Sequence, residues 1–236
     1  MRPTIVLVHG AFAESASWDG VVDPLLDAGY SVVAAANPLR SVSADAAAVS
    51  DVVRAIDGPV VLVAHSYGGM VMSNVDSDAG EITGLVYVAA FAPAEGESAF
   101  SLAGMFPGSR LGDAVQPTPR GDGTTDLSIV QERFHDQFCA DVPEAQARRM
   151  AATQRPATLE ALQEPSGEPL WKQIPSWFLF GEEDRNIPAA LEHYMAERAG
   201  ARRTIEIPGA SHAVSVAHPA ATARLVLEAA AVHVGV

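Results

Sequence analysis

Four aliphatic residues in a row, Val60-Val61-Leu62-Val63, stand just before Ala64-His65-Ser66-Tyr67-Gly68-Gly69. A run without polar alternation suits a strand buried on both faces, the situation in a parallel sheet with helices packed on either side. Similar β-branched runs recur along the chain and predict strands at Thr4–Val8, Ser31–Ala35, Pro59–Ala64, Gly84–Ala89, Ser176–Phe180 and Thr204–Ile207. Amphipathic stretches between them predict helices near Trp18–Ala28, Ser43–Ile56, Tyr67–Asp76, Ala189–Ala199 and Pro219–Val232. That alternation defines an α/β fold with a mostly parallel six-stranded sheet. Ser43-Ala44-Asp45 offers an N-cap for the second helix, and Gly29 stands where the first must end.

Between Ala94 and Trp171 the alternation stops for nearly eighty residues. A connection that long has structure and purpose of its own. It reads as loop through Pro107–Thr125, then as helix through Leu127–Phe138, Pro143–Thr153 and Thr158–Glu164. The expected organisation is a core of residues 1–93 and 172–236, with a helical cap over 94–171 inserted after the fourth strand. Phe100, Met105, Phe106, Phe134, Phe138 and Met150 give the cap enough apolar bulk to roof a pocket.

Composition narrows the partners. The 236 residues are 48% hydrophobic and 19% charged, which argues against disorder. No apolar run approaches the roughly 20 residues of a membrane span, and no signal-peptide pattern follows Met1, so a cytoplasmic location is expected. A net charge of −14 opposes binding to nucleic acid or an anionic membrane surface. Lys172 is the only lysine and has no supporting motif for lysine chemistry. The lone Cys139 excludes an intrachain disulfide and a cysteine-rich metal site, and it reads as a buried apolar side chain on a helix. The sequence carries no signal for oligomeric state.

The segment after the third strand matches the Gly-x-Ser-x-Gly nucleophile elbow, with Ala64 replacing the first glycine. A serine at a sharp strand-to-helix turn needs small neighbours two residues to either side, and Ala64 and Gly68 supply them. Ser66 is the candidate nucleophile. His9-Gly10-Ala11-Phe12 closes the first strand, and the carboxyl ends of the first and third strands meet where strand order reverses. The backbone N–H groups of Ala11 and Tyr67 are therefore the candidate oxyanion donors, with Phe12 in place of Ala11 if the register slips by one. Of seven histidines, His212 lies past the last strand on the rim that carries Ser66, so it is the candidate base. His218, before Pro219, is the alternative. The fifth strand ends in Gly181-Glu182-Glu183-Asp184, where Asp184 is the candidate orienting acid and Glu182 or Glu183 the alternatives. Phe12, Trp18, Phe91, Phe134 and Phe138 are candidate pocket walls.

Three segments then carry a resemblance: Val8-His9-Gly10-Ala11 with Trp18 downstream, the Ser66 elbow, and Val88-Ala89-Ala90-Phe91-Ala92-Pro93. Across essentially its whole length the chain resembles the α/β-hydrolase superfamily, in the small esterase branch that includes plant methylesterases, hydroxynitrile lyases and bacterial pyrethroid-hydrolase-like esterases. The resemblance implies a Ser66–Asp184–His212 triad, no metal or organic cofactor, and a sheet trimmed from eight strands to six. The serine separates the chain from relatives with an elbow aspartate. Ala213 replaces the lysine that hydroxynitrile lyases place after the histidine, which argues against cyanohydrin cleavage.

The expected activity is hydrolysis of a small, apolar carboxylic ester or lactone through an acyl-enzyme. The same residues would serve a thioesterase, a C–C hydrolase, a perhydrolase, a slowly hydrolysing ligand receptor or a non-hydrolytic protein that uses the same pocket.

Overall fold

The computed structural model describes residues 1–232. His233, the last of the seven histidines, lies outside the described residues.

Six parallel strands form one sheet: β1 (Thr4–Val8), β2 (Val32–Ala35), β3 (Pro59–Ser66), β4 (Glu81–Ala90), β8 (Ser176–Gly181) and β9 (Arg203–Ile207), in the order β2-β1-β3-β4-β8-β9. All six predicted strands are present, shifted by a few residues at their ends. The central pair β3 and β4 is buried along most of its length, in accord with the unbroken apolar runs. Helices α1 (Asp19–Asp27), α2 (Val42–Arg54), α3 (Gly68–Ser73), α9 (Ala189–Arg198), α10 (Val214–Ala217) and α11 (Pro219–Ala231) belong to this core. The α2 cap sits two residues before the expected position: Ser41 Oγ accepts the Ala44 N–H at 3.0 Å.

The order of strands brings the carboxyl ends of β1 and β3 side by side, with Val8 paired to Ala64. Opposite the end of β3 the register with β4 slips. His65 pairs with Val88, whereas Ser66 pairs with Ala90, so Ala89 is left over with a positive φ of 45°.

The inserted segment is not purely helical. It carries α4 (Ala99–Ala103), α5 (Leu111–Ala114), α6 (Gln131–Phe138), α7 (Glu144–Thr153) and α8 (Leu159–Gln163), and also an antiparallel sheet of β5 (Val115–Pro119), β6 (Thr125–Ile129) and β7 (Ala157–Thr158). The expected loop through Pro107–Thr125 thus contains β5, and the expected helix from Leu127 begins only at Gln131. Pro117 and Pro119 conceal β5 in the sequence, yet an edge strand tolerates residues that cannot donate to the ladder. Cys139 is buried, just past the end of α6.

The insertion is tied down at several points. Where it enters and leaves the core, the Trp171 Nε1–H donates to the Pro93 carbonyl at 2.7 Å. Further out, Arg40 Nη2 donates to Pro156 O, Thr158 N–H to Leu39 O, and Glu164 accepts the N–H groups of Val42 and Ser43 at the start of α2.

Candidate active site

Ser66 ends β3 with φ at 55°, a left-handed conformation that a non-glycine residue adopts at a cost and that the surrounding structure must enforce. Its neighbours leave no spare room. A Cβ on Gly68 would lie 2.6 Å from the Val8 carbonyl oxygen, and one on Gly10 would lie 2.6 Å from Ser66 Cβ. The first loop therefore touches the serine because it begins with glycine. Ala64 is fully buried, so the departure from the usual glycine is accommodated by a methyl in the core.

The loop after β1 continues through Ala11 and Phe12. Phe12 has φ of 60° and donates its N–H to the Arg155 carbonyl of the cap at 3.0 Å. That bond occupies the N–H of Phe12, the alternative candidate donor. Tyr67 opens α3 with helical backbone angles, and its hydroxyl donates to Asp45 Oδ2 on α2 at 2.9 Å.

His212 and Asp184 meet as the sequence predicts. Nδ1–H of His212 donates to Asp184 Oδ2 at 2.7 Å, and neither side chain is exposed. The other carboxylate oxygen accepts the N–H groups of Asn186 at 2.7 Å and Ile187 at 2.9 Å. Both oxygens are thus satisfied, and the bond to Nδ1 leaves the lone pair of the neutral imidazole on Nε2. Glu182 and Glu183 are exposed, and Glu182 accepts the Gly209 N–H at 2.9 Å, so neither alternative acid is in this pair. His212 Nε2 is buried and makes no hydrogen bond, so the contact with Ser66 Oγ is not formed in this structure. Bonds of this kind are often long before substrate arrives.

The residue beside the serine links the two halves. His65 Nε2–H donates to the His212 carbonyl oxygen at 3.1 Å, and the two imidazole centroids are 4.7 Å apart. Burial first, then the nearby His212, hold the His65 ring well below the ordinary histidine range and keep it neutral. His9 is lowered as well, mainly by burial, and its Nδ1 bonds the Gly10 carbonyl at 3.0 Å. These two histidines brace the loops. His218, the alternative base, lies at the start of α11 and bonds the cap residue Asp141 at 3.1 Å through Nε2.

Phe138 reaches His212 from the cap with its ring edge-on at a centroid distance of 4.9 Å, and Phe134 stacks on Phe138. Trp18 is fully buried and edge-on to His65 at 6.4 Å. Phe91 is 7% exposed. Of the five candidate wall residues, Phe12 alone lines a cavity of about 280 Å³ between the β1 loop and α7, shared with Glu14, Arg149, Met150, Gln154 and Val216. Phe100 and Met105 are largely exposed and do not roof it.

One buried acid was not visible in the sequence. Glu192 in the first turn of α9 is wholly inaccessible. Burial, then the charge of Asp184, push its carboxyl well above the usual range, opposed by the Ala90 backbone. In sequence it reads as an ordinary acid on a helix surface.

A strained serine at a strand-to-helix turn, with a buried histidine–carboxylate pair on the same rim of a parallel sheet, is the arrangement found in α/β-hydrolases. A model of the alpha/beta hydrolase family matches residues 5–225, and the chain belongs to that family. Among curated proteins it is 29% identical to a pyrethroid hydrolase of Sphingobium wenxiniae, over 89% of this chain and 81% of the relative. It is 25% identical to the alpha/beta hydrolase nvfD of Aspergillus novofumigatus, over 98% of this chain and 97% of the relative. The solved structure of polyneuridine aldehyde esterase shares the fold, with a TM-score of 0.80 at 19% identity, covering 97% of this chain and 99% of that one. Among the described residues no helix is long and apolar enough to cross a membrane.

Proposed function

We propose that the chain is a serine esterase that hydrolyses a small carboxylic ester or lactone, with Ser66 as nucleophile, His212 as base and Asp184 as the acid that orients the base. The buried 2.7 Å bond from His212 Nδ1 to Asp184 carries the reading, because it aims an unprotonated Nε2 from the rim that holds Ser66. Esterase and hydrolase relatives support the same class.

In the proposed cycle, His212 Nε2 takes the Ser66 hydroxyl proton as Oγ bonds to the ester carbonyl carbon. The developing oxyanion accepts the N–H groups of Ala11 and Tyr67, each worth about 3 kcal/mol in the transition state. His212 then gives the proton to the departing alkoxide, and the carbonyl reforms as an acyl-enzyme. Water attacks next. His212 removes its proton and returns it to Ser66 Oγ as the acid leaves. Asp184 remains ionised and stabilises the transient imidazolium.

The test is release of p-nitrophenol from short- and medium-chain p-nitrophenyl esters by wild type, Ser66→Ala and His212→Ala. Turnover by wild type and a loss of several orders of magnitude in both folded variants is the expected result. A folded wild type with neither turnover nor an acylation burst overturns the proposal.

A further inference from the structure

We infer that Asp141, in the cap, is a positioning residue for His212, acting through Ser211. This rests on the esterase reading above. Asp141 lies between α6 and α7, and its carboxylate makes two bonds to the loop that carries the base. Oδ1 accepts the Ser211 hydroxyl, and Oδ2 bonds His218 Nε2 at 3.1 Å. The two contacts lie on either side of His212 in the chain, so one cap side chain spans the segment from which the base projects.

The hook is braced at both ends. On the cap side, His135 Nε2–H donates to the Val142 carbonyl at 2.8 Å, and Val142 N–H donates to Cys139 O at 3.0 Å, which holds the short loop around Asp141. On the core side, Ser211 is 3% exposed, and its Oγ also receives the Ala213 N–H at 3.4 Å. The hydroxyl therefore joins the cap carboxylate to the backbone just beyond His212. A charged acceptor strengthens such a bond relative to a neutral one. Phe138, one turn of chain earlier, packs on the imidazole itself. Cap position and base position are thus mechanically one.

A base displaced by about an ångström loses roughly 100-fold in rate without losing its chemistry. The test compares wild type with Asp141→Ala, Asp141→Asn, Ser211→Ala and the Asp141→Ala/Ser211→Ala double variant, all checked for folding by circular dichroism. Two readouts are used: steady-state hydrolysis of a p-nitrophenyl ester, and the rate at which a fluorophosphonate labels Ser66. Asp141→Ala and Ser211→Ala are expected to lower kcat and labelling by about 10- to 100-fold with KM within about threefold of wild type. Asp141→Asn is expected to recover most of the loss, since its amide oxygen still accepts the Ser211 hydroxyl. The double variant should be no slower than either single one, as for two members of one contact. If Asp141→Ala fails to fold, Ser211→Ala reads the same contact. Labelled wild type with unchanged variants, an effect on KM alone, or additive losses would overturn the inference by itself. Wild type that neither turns over nor is labelled overturns the esterase reading and this inference together.

Discussion

The phenol of Tyr67 is anchored on α2: its hydroxyl donates to Asp45 Oδ2 at 2.9 Å, one residue past Ser66. Asp45 is fully buried, and burial raises its carboxyl above the usual range, opposed by the two Arg40 N–H contacts at 3.1 Å and the Tyr67 bond. Tyr67→Phe removes one donor from a buried acceptor. The expected cost is about 1–3 kcal/mol in urea unfolding, with kcat reduced as the adjacent backbone N–H relaxes. Unchanged stability would mean that the hydroxyl is not engaged.

Gly68 admits no side chain at the elbow. With a would-be Cβ 2.6 Å from the Val8 carbonyl, Gly68→Ala must push β1 away from α3. A loss of about 1–3 kcal/mol and a larger proportional loss of ester turnover are expected, because the strain lands on the Ser66 turn. Thermal melts and kcat measured side by side check this.

Asp184→Asn separates orientation from charge. The amide oxygen still accepts from Asn186 and Ile187, so the loop survives, while the amide N–H₂ faces His212 Nδ1. The imidazole then carries its proton on Nε2, where it cannot accept from Ser66. On the proposed mechanism kcat falls by roughly 10,000-fold with little change in melting temperature. A loss below tenfold would remove Asp184 from the triad.

Glu192 predicts a pH dependence of stability. Its folded-state carboxyl lies well above the usual range, so the folded chain keeps a proton that the unfolded chain releases. Stability from this group is full below the ordinary glutamate value of about 4.3 and declines as pH rises toward the folded value. Glutamine cannot ionise and escapes that decline. Glu192→Gln should therefore melt above wild type at pH 8, with the gap narrowing toward pH 4.5, at about 2–4 °C for each kcal/mol. A gap that is constant with pH would refute the assignment of the penalty to ionisation.

The centre of the sheet was legible because β1, β3, β4 and β8 are buried along most of their length and nearly uniform in apolar character, whereas the edge strands β2 and β9, partly exposed, were read from their β-branched residues. The candidate residues Ser66, Asp184 and His212 stood out in the sequence because each lies at or just past the carboxyl end of a strand on one rim. The cap was less so. Pro117 and Pro119 read as breakers until the edge position of β5 removes the objection to them. Asp141 and Glu192 gave no signal, since an acid on a cap loop or helix looks solvated in sequence, and only tertiary packing turns Asp141 toward Ser211 and buries Glu192.

Pro93 and Trp171 are hydrogen-bonded to each other, although β4 and β8 run parallel and the insertion leaves at the carboxyl end of one and rejoins at the amino end of the other. That bond ties the two ends of the insertion to each other outside the strand ladder. Remodelling of the outer cap, by shortening its hairpin or exchanging α7, leaves strand register and the elbow untouched. The cost of such change falls instead where the insertion touches the loops of the site: at Phe138, which packs on His212, at Arg155, whose carbonyl holds the Phe12 N–H, and at Asp141, which bonds Ser211 and His218.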